Sequence, residues 1–264
     1  MGLKYRIIVS RGYRFTVYRD WRYTAAPVIT RIGRIPREPS KECLMKQWIG
    51  LLGLALVLHA APARAEVRTP KLEVTIVAPQ DAKTVKWAED AKKLTQKWYP
   101  KIVEILGVEQ PVDPLRIKLV FRKMEGVAYS SGREIHVSTD WIEQHPDDIG
   151  LVVHELTHQV QSYPDYDPSW VTEGIADYVR WWCYEPKSPR SPINFSRAKY
   201  SDSYRTTAAF FHWIEVKNPG FIKTLSDVML KNTYGDDRWS QWANAPIDDL
   251  WAQFKADSQK PVKK

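Results

Sequence analysis

Residues 154–158 read His-Glu-Leu-Thr-His, and this stretch constrains the chain more than any other. On an α-helix of ~3.6 residues per turn, His154 and His158 leave one face a turn apart, while Glu155 is rotated by about 100° from His154. Two imidazoles so placed can grip one metal ion through their ring nitrogens, and the offset carboxylate reaches a water on that ion. Fifteen residues beyond His158, Glu173-Gly174-Ile175-Ala176-Asp177 sets two more carboxylates at helical spacing. Glu173 can supply a third ligand, and Asp177 can accept the free N–H of a ligand histidine and so fix its tautomer. Three protein ligands leave one coordination position for water, the arrangement of a catalytic rather than a structural zinc. The same letters can fall by accident on a solvated helix, but only five histidines follow residue 65, and two of them are these.

The front of the chain reads differently. Met45-Lys46-Gln47 precedes an apolar run over 48–58, and Ala63-Arg64-Ala65 supplies a small-residue exit. This is the layout of a secretory signal over 45–65, with a mature chain that begins at Glu66. The run is shorter than the ~20 residues that span a bilayer, so the alternative is an uncleaved anchoring helix. Residues 1–44 are rich in Arg and Tyr without sustained periodicity. They read as an over-extended reading frame upstream of Met45, or else as an Arg-rich targeting extension.

Removing 1–65 changes the charge. The whole chain is +8, but residues 1–65 hold 12 of its 39 Lys and Arg and only 3 of its 31 Asp and Glu. What remains has 27 basic against 28 acidic residues, so nothing points to nucleic acid or to stable membrane insertion of the mature form. Cys43 leaves with the front, and Cys183 has no partner for a disulfide. Stability must then come from one core, for which about 200 residues and ten tryptophans suffice, and 66–264 is expected to be a single domain.

The pattern from 66 onward predicts an α+β fold: a small N-terminal mixed sheet with a hairpin edge strand, then an active-site helix and a helical C-terminal half. Strands are expected over 72–77 and 115–121, and a hairpin over 127–129 and 134–137. A helix is expected over 84–106, kinked or divided at Pro100. Further helices are expected over 147–162, 170–182, 204–216, 220–230 and 247–256. The strand at 135–137 is expected to offer its edge to an extended substrate. Tyr204 and His212 could each face the cleft and stabilise an oxyanion. Gln161 falls near the His158 face, and His136 and His145 read as surface residues.

Residues 154–161 and 170–180, with the helix from Tyr204 to Trp213 and the segments 234–237 and 247–254, resemble the basic secretory protein family, first known from plants. The resemblance covers most of 66–257. It implies a zincin-like metallopeptidase with a glutamate as third ligand. One Zn²⁺ per chain would be held by His154, His158 and Glu173, with Glu155 as the catalytic carboxylate, Asp177 behind a ligand histidine and Tyr204 as a candidate transition-state tyrosine. A peptide or protein is the implied substrate. The near-neutral mature chain departs from the family's name, so charge-based roles do not carry over. Two other readings remain open on the residues alone: a secreted binding protein that keeps the zinc fold without cutting, and a zinc hydrolase acting on a non-peptide or cell-wall amide.

Overall fold

The structure, a computed structural model, describes residues 7–10, 13–16, 72–77, 81–109 and 115–260. The signal segment expected at 45–65 lies outside them. So does the extension 1–44, apart from an antiparallel ribbon of β1 (Ile7–Ser10) and β2 (Tyr13–Thr16).

The sheet follows from alternation. In β4 (Leu115–Arg122), Leu115, Ile117, Leu119 and Phe121 are buried while Arg116, Lys118 and Arg122 face out. The outward residues pair across strands, Arg116 with Glu73 at 3.0 Å and Lys118 with Glu134 at 2.6 Å. β4 lies between β3 (Leu72–Val77) and β6 (Glu134–Ser138) and is parallel to both. β5 (Ala128–Ser131) closes the order β3-β4-β6-β5, antiparallel to β6. The sheet is small and mixed, as expected, and helices follow it.

One expectation is corrected here. The strand at 135–137 cannot offer an edge, because β6 is paired on both sides; the free edge belongs to β5.

The sheet packs against α1 (Ala82–Leu106). The Asp81 side chain caps that helix by accepting the Thr84 N–H at 2.8 Å, and Gly107 ends it at φ 66°, a left-handed conformation that glycine adopts without strain. The helix neither divides nor stops at Pro100. Pro100 and Gln96, whose carbonyl loses its partner, both lie on the exposed side, where solvent can satisfy that oxygen.

A short α2 (Thr139–Gln144), which the sequence reading missed, starts at Ser138. α3 (Gly150–Gln161) runs through the middle of the molecule, with Leu151, Val152, Val153 and Leu156 almost without solvent contact. α4 (Ser169–Tyr178) follows and widens into a π-helical turn at Val179–Tyr184, where an α-helix to residue 182 was expected. Then come α5 (Tyr204–Lys217), α6 (Phe221–Leu230), α7 (Trp239–Ala243) and α8 (Ile247–Ser258).

α4 lies close against α5 because Gly174 has no side chain. A Cβ there would sit 2.4 Å from Thr207 Cγ2 and 2.9 Å from Phe211 Cε2. Behind this contact lies an aromatic core. Trp239 is 1% exposed, stacks on Trp170 at 5.9 Å, and is ringed by Phe210, Phe211 and Phe221. Each fully buried phenylalanine contributes about 1.5–3 kcal/mol. Cys183 is half-buried and free.

Candidate metal centre

α3 and α4 meet on the faces that carry the predicted ligands. His154 Nε2 lies 3.2 Å from His158 Nε2 and 3.2 Å from Glu173 Oε2, and His158 Nε2 lies 3.7 Å from Glu173 Oε1. The second nitrogen of each ring is engaged elsewhere. His154 Nδ1 faces Asp177 Oδ1 at 2.8 Å, and His158 Nδ1 faces Gln161 Oε1 at 2.7 Å. The Gln161 amide is oriented by its own Nε2–H, which donates to the Thr172 carbonyl at 3.0 Å. A carboxylate and an amide oxygen can only accept, so both Nδ1 atoms must carry the proton. Both Nε2 atoms then present lone pairs to each other and to a carboxylate.

With both rings neutral, the two Nε2 lone pairs and Glu173 Oε2 converge and repel one another unless a metal cation or a proton lies among them. The Glu173 Oε2 atom makes the same point: it is buried, and although His154 Nε2 is within ion-pair distance, the angle makes no hydrogen bond. Donors on a tetrahedral ion with bonds of ~2.0–2.1 Å lie about 3.3 Å apart, close to the separations seen here. Among the described residues, His154, His158 and Glu173 form a group able to hold a metal ion.

The buried groups compensate one another's charge. Burial disfavours protonated His154, yet Asp177 and Glu173 outweigh it and push its pKa well above the ordinary value. Burial likewise works against charge on His158, but Glu173 raises it. Burial also raises Glu173, but His158 and His154 hold its carboxyl far below the usual range. Each shift follows from the opposite charge of its neighbours, as in a coupled buried cluster. Glu155 sits beside the cluster, 6% exposed, and burial lifts its carboxyl above the ordinary value against the pull of both histidines.

The family described as BSP, a peptidase of plants and bacteria, matches residues 80–254. The chain belongs to this family. No curated protein and no solved structure matches it. Membership agrees with the resemblance read from the two central motifs, and both motifs lie inside the matched span.

In this peptidase-family chain two clefts meet at the cluster and share Ala128, His154 and Glu155. One, of about 390 Å³, is bounded by β5, Gln159, Tyr163 and Tyr166. The other, of about 610 Å³, is bounded by Trp141, Trp181, Tyr204 and Arg205. β5 is tied to the site by Ser130, whose hydroxyl donates to the Glu155 carbonyl at 2.7 Å.

The Tyr204 ring lies 6.3 Å from that of His154. Burial first, then Glu173, Asp177 and Glu155, raise its phenol pKa, which keeps the hydroxyl a donor. Tyr204 at φ 48° and Ser203 at φ 64° hold a left-handed backbone that costs ~1–3 kcal/mol for such residues, so the start of α5 is held in this shape by its surroundings. His212 is not brought to the cluster; it packs against Tyr178 and Trp182. His145 is exposed, whereas His136 is half-buried and stacks on Tyr129 at 4.5 Å rather than standing free on the surface.

Sequence reasoning missed Tyr166, whose hydroxyl donates to Glu173 Oε1. It lies in an irregular loop between the two motifs, where no periodicity marks it. Gln161 was left undecided, though its i+3 spacing from His158 was the signal for the contact it makes. Among the described residues no helix is long and apolar enough to cross a membrane.

Proposed function

We propose that this chain is a secreted zinc-dependent peptidase that hydrolyses peptide bonds with Glu155 as general base. One observation supports this above others: two histidines with both Nε2 lone pairs turned inward on a buried carboxylate, beside a second carboxylate that makes no ion pair within the set. Zinc held by His154, His158 and Glu173 would polarise the scissile carbonyl and make a water acidic enough to lose its proton near neutral pH.

The chain's own groups do the rest. Asp177 and Gln161 hold the two imidazoles in the tautomer that leaves Nε2 free, and Tyr166 holds Glu173 in place. Glu155 takes a proton from the attacking water and passes it to the departing amine. Its raised pKa suits both halves of that transfer, since the carboxylate must be basic enough to accept and the acid must persist long enough to donate. The Tyr204 hydroxyl donates to the carbonyl oxygen as charge builds on it. The free edge of β5 lies along the cleft, placed to pair with an extended substrate backbone.

A digest of mixed peptides tests the proposal. Cleavage that stops with a chelator, returns with Zn²⁺ and is absent in Glu155→Gln supports it. Cleavage that ignores the chelator, or survives undiminished in Glu155→Gln, rejects it.

A further inference from the structure

The cleft beyond Tyr204 carries a charge pattern that the hydrolytic chemistry does not use. Arg180 is neutralised, since it pairs with Asp148 and has Glu185 Oε2 at 3.7 Å. Arg205 forms no such ion pair: among the described residues no carboxylate lies within 4.0 Å of it, and Glu185 feels its charge only from farther off. Its guanidinium instead rests 4.4 Å from the centre of the Trp181 ring, on the same indole that Arg180 contacts at 4.4 Å. Trp181 is 9% exposed and fixed in the π-helical turn, so it holds the exposed Arg205 head in one place at little entropic cost.

Arg205 also lines a second, larger groove of about 1490 Å³ that continues from the first. That groove presents Arg190 and Arg197, and these too lack a carboxylate within 4.0 Å among the described residues. Arg190 is anchored by carbonyls, donating to Trp181 O at 2.7 Å and Pro186 O at 3.1 Å, and lies 4.7 Å over the Trp182 ring. One carboxylate, Asp202, lines both grooves, and its Oδ2 accepts the Lys199 backbone N–H at 2.9 Å. Three guanidiniums without an ion pair in one channel stand out in a mature sequence with 27 basic and 28 acidic residues.

We propose that this channel is an anionic-residue subsite: Arg205 receives an Asp or Glu side chain on one side of the scissile bond, and Arg190 and Arg197 favour further acidic residues beyond it. The inference rests on the peptidase reading for the identity of the substrate, but binding can test it alone. Arg205 is a specificity-determining residue, and its planar, stacked guanidinium suits bidentate pairing with a carboxylate.

The test uses the zinc-loaded full domain and matched fluorescent peptides that differ only by Glu or Gln, and Asp or Asn, at successive positions. Affinity is read by anisotropy and cleavage by kcat/KM, in wild type, Arg205→Gln and Arg205→Lys, with thermal melts confirming the fold. The expected result is about tenfold tighter binding of the acidic peptides at low salt, shrinking as salt is raised. That preference is lost in Arg205→Gln and partly kept in Arg205→Lys. Equal affinity for acidic and neutral peptides, or a preference that survives in Arg205→Gln, overturns the subsite. Cleavage without acidic preference leaves the peptidase standing and removes this inference. Arg205-dependent binding of acidic peptides with no cleavage of any peptide does the reverse.

Discussion

Replacing Gly174 by alanine tests the link between helix packing and the metal centre. The new Cβ would lie 2.4 Å from Thr207 Cγ2 and 2.9 Å from Phe211 Cε2. The first distance is about 1 Å short of the ~3.5 Å at which carbons pack comfortably. Neither neighbour can retreat into solvent, since Thr207 and Phe211 are both 0% exposed. Overpacking of this kind costs about 1–3 kcal/mol, and alanine's better helix propensity returns up to about 1 kcal/mol. The net expectation is a loss of about 1–2 kcal/mol, which for a domain of this size lowers Tm by about 2–8 °C.

The strain has a direction. α4 must move away from α5, and Glu173 is the residue next to Gly174. Metal affinity should therefore fall along with stability, unlike the case of a core substitution far from the site. Thr207→Ser removes the clashing methyl and keeps the hydroxyl that donates to the Tyr200 carbonyl at 2.5 Å. In a double-mutant cycle it should recover at least half of both losses. Tm by calorimetry and affinity by competition with a chromophoric chelator are the readouts. Wild-type values for both in Gly174→Ala, or no coupling to Thr207→Ser, would refute the close-approach argument.

Asp177→Ala should weaken zinc binding by about 10–100-fold with the fold intact, because His154 loses the acceptor that fixes its tautomer; unchanged affinity in a chelator competition contradicts this. Chelation should lower Tm and zinc should restore it, by about 2.7 kcal/mol of added stability at free zinc a hundredfold above Kd; a Tm indifferent to zinc contradicts the site. The Cys183 thiol is pushed up to about 11 by burial, against the hydrogen bond from Tyr178. A raised pKa favours the protonated thiol in the folded state, so this stabilisation is full below the unfolded value of ~8.5 and is lost as pH rises toward 11. Iodoacetamide at pH 8 should therefore label folded protein about a hundredfold more slowly than denatured protein; equal rates oppose it. N-terminal sequencing of exported protein should give Glu66, and Met1 would remove the proposed signal segment.

The part of the site that was legible in the sequence was the part written in helical period. His154, His158, Glu173 and Asp177 are each one turn from a partner, so the sequence alone fixed which side chains share a face. What escaped depends on contacts between distant segments. Which hairpin strand is the edge depends on β6 pairing in parallel with β4, and alternation is the same for an edge and an interior strand. Tyr166 and the Ser130 contact to Glu155 belong to a loop and a strand whose positions only the tertiary fold determines. The π-helical turn that presents Trp181 has the same apolar spacing as the α-helix expected in its place. Pro100 does not divide α1, and the Gln96 carbonyl that loses its partner lies on the exposed side.

The central claim is that two imidazoles and one carboxylate grip a single zinc ion. X-ray absorption on the purified domain, with metal content measured on the same sample, tests it most directly. The account predicts one zinc per chain in a shell of nitrogen and oxygen at ~2.0–2.1 Å, with stoichiometric zinc lost in His158→Ala. Sub-stoichiometric metal, a sulfur ligand at ~2.3 Å, or full zinc occupancy in His158→Ala would contradict it.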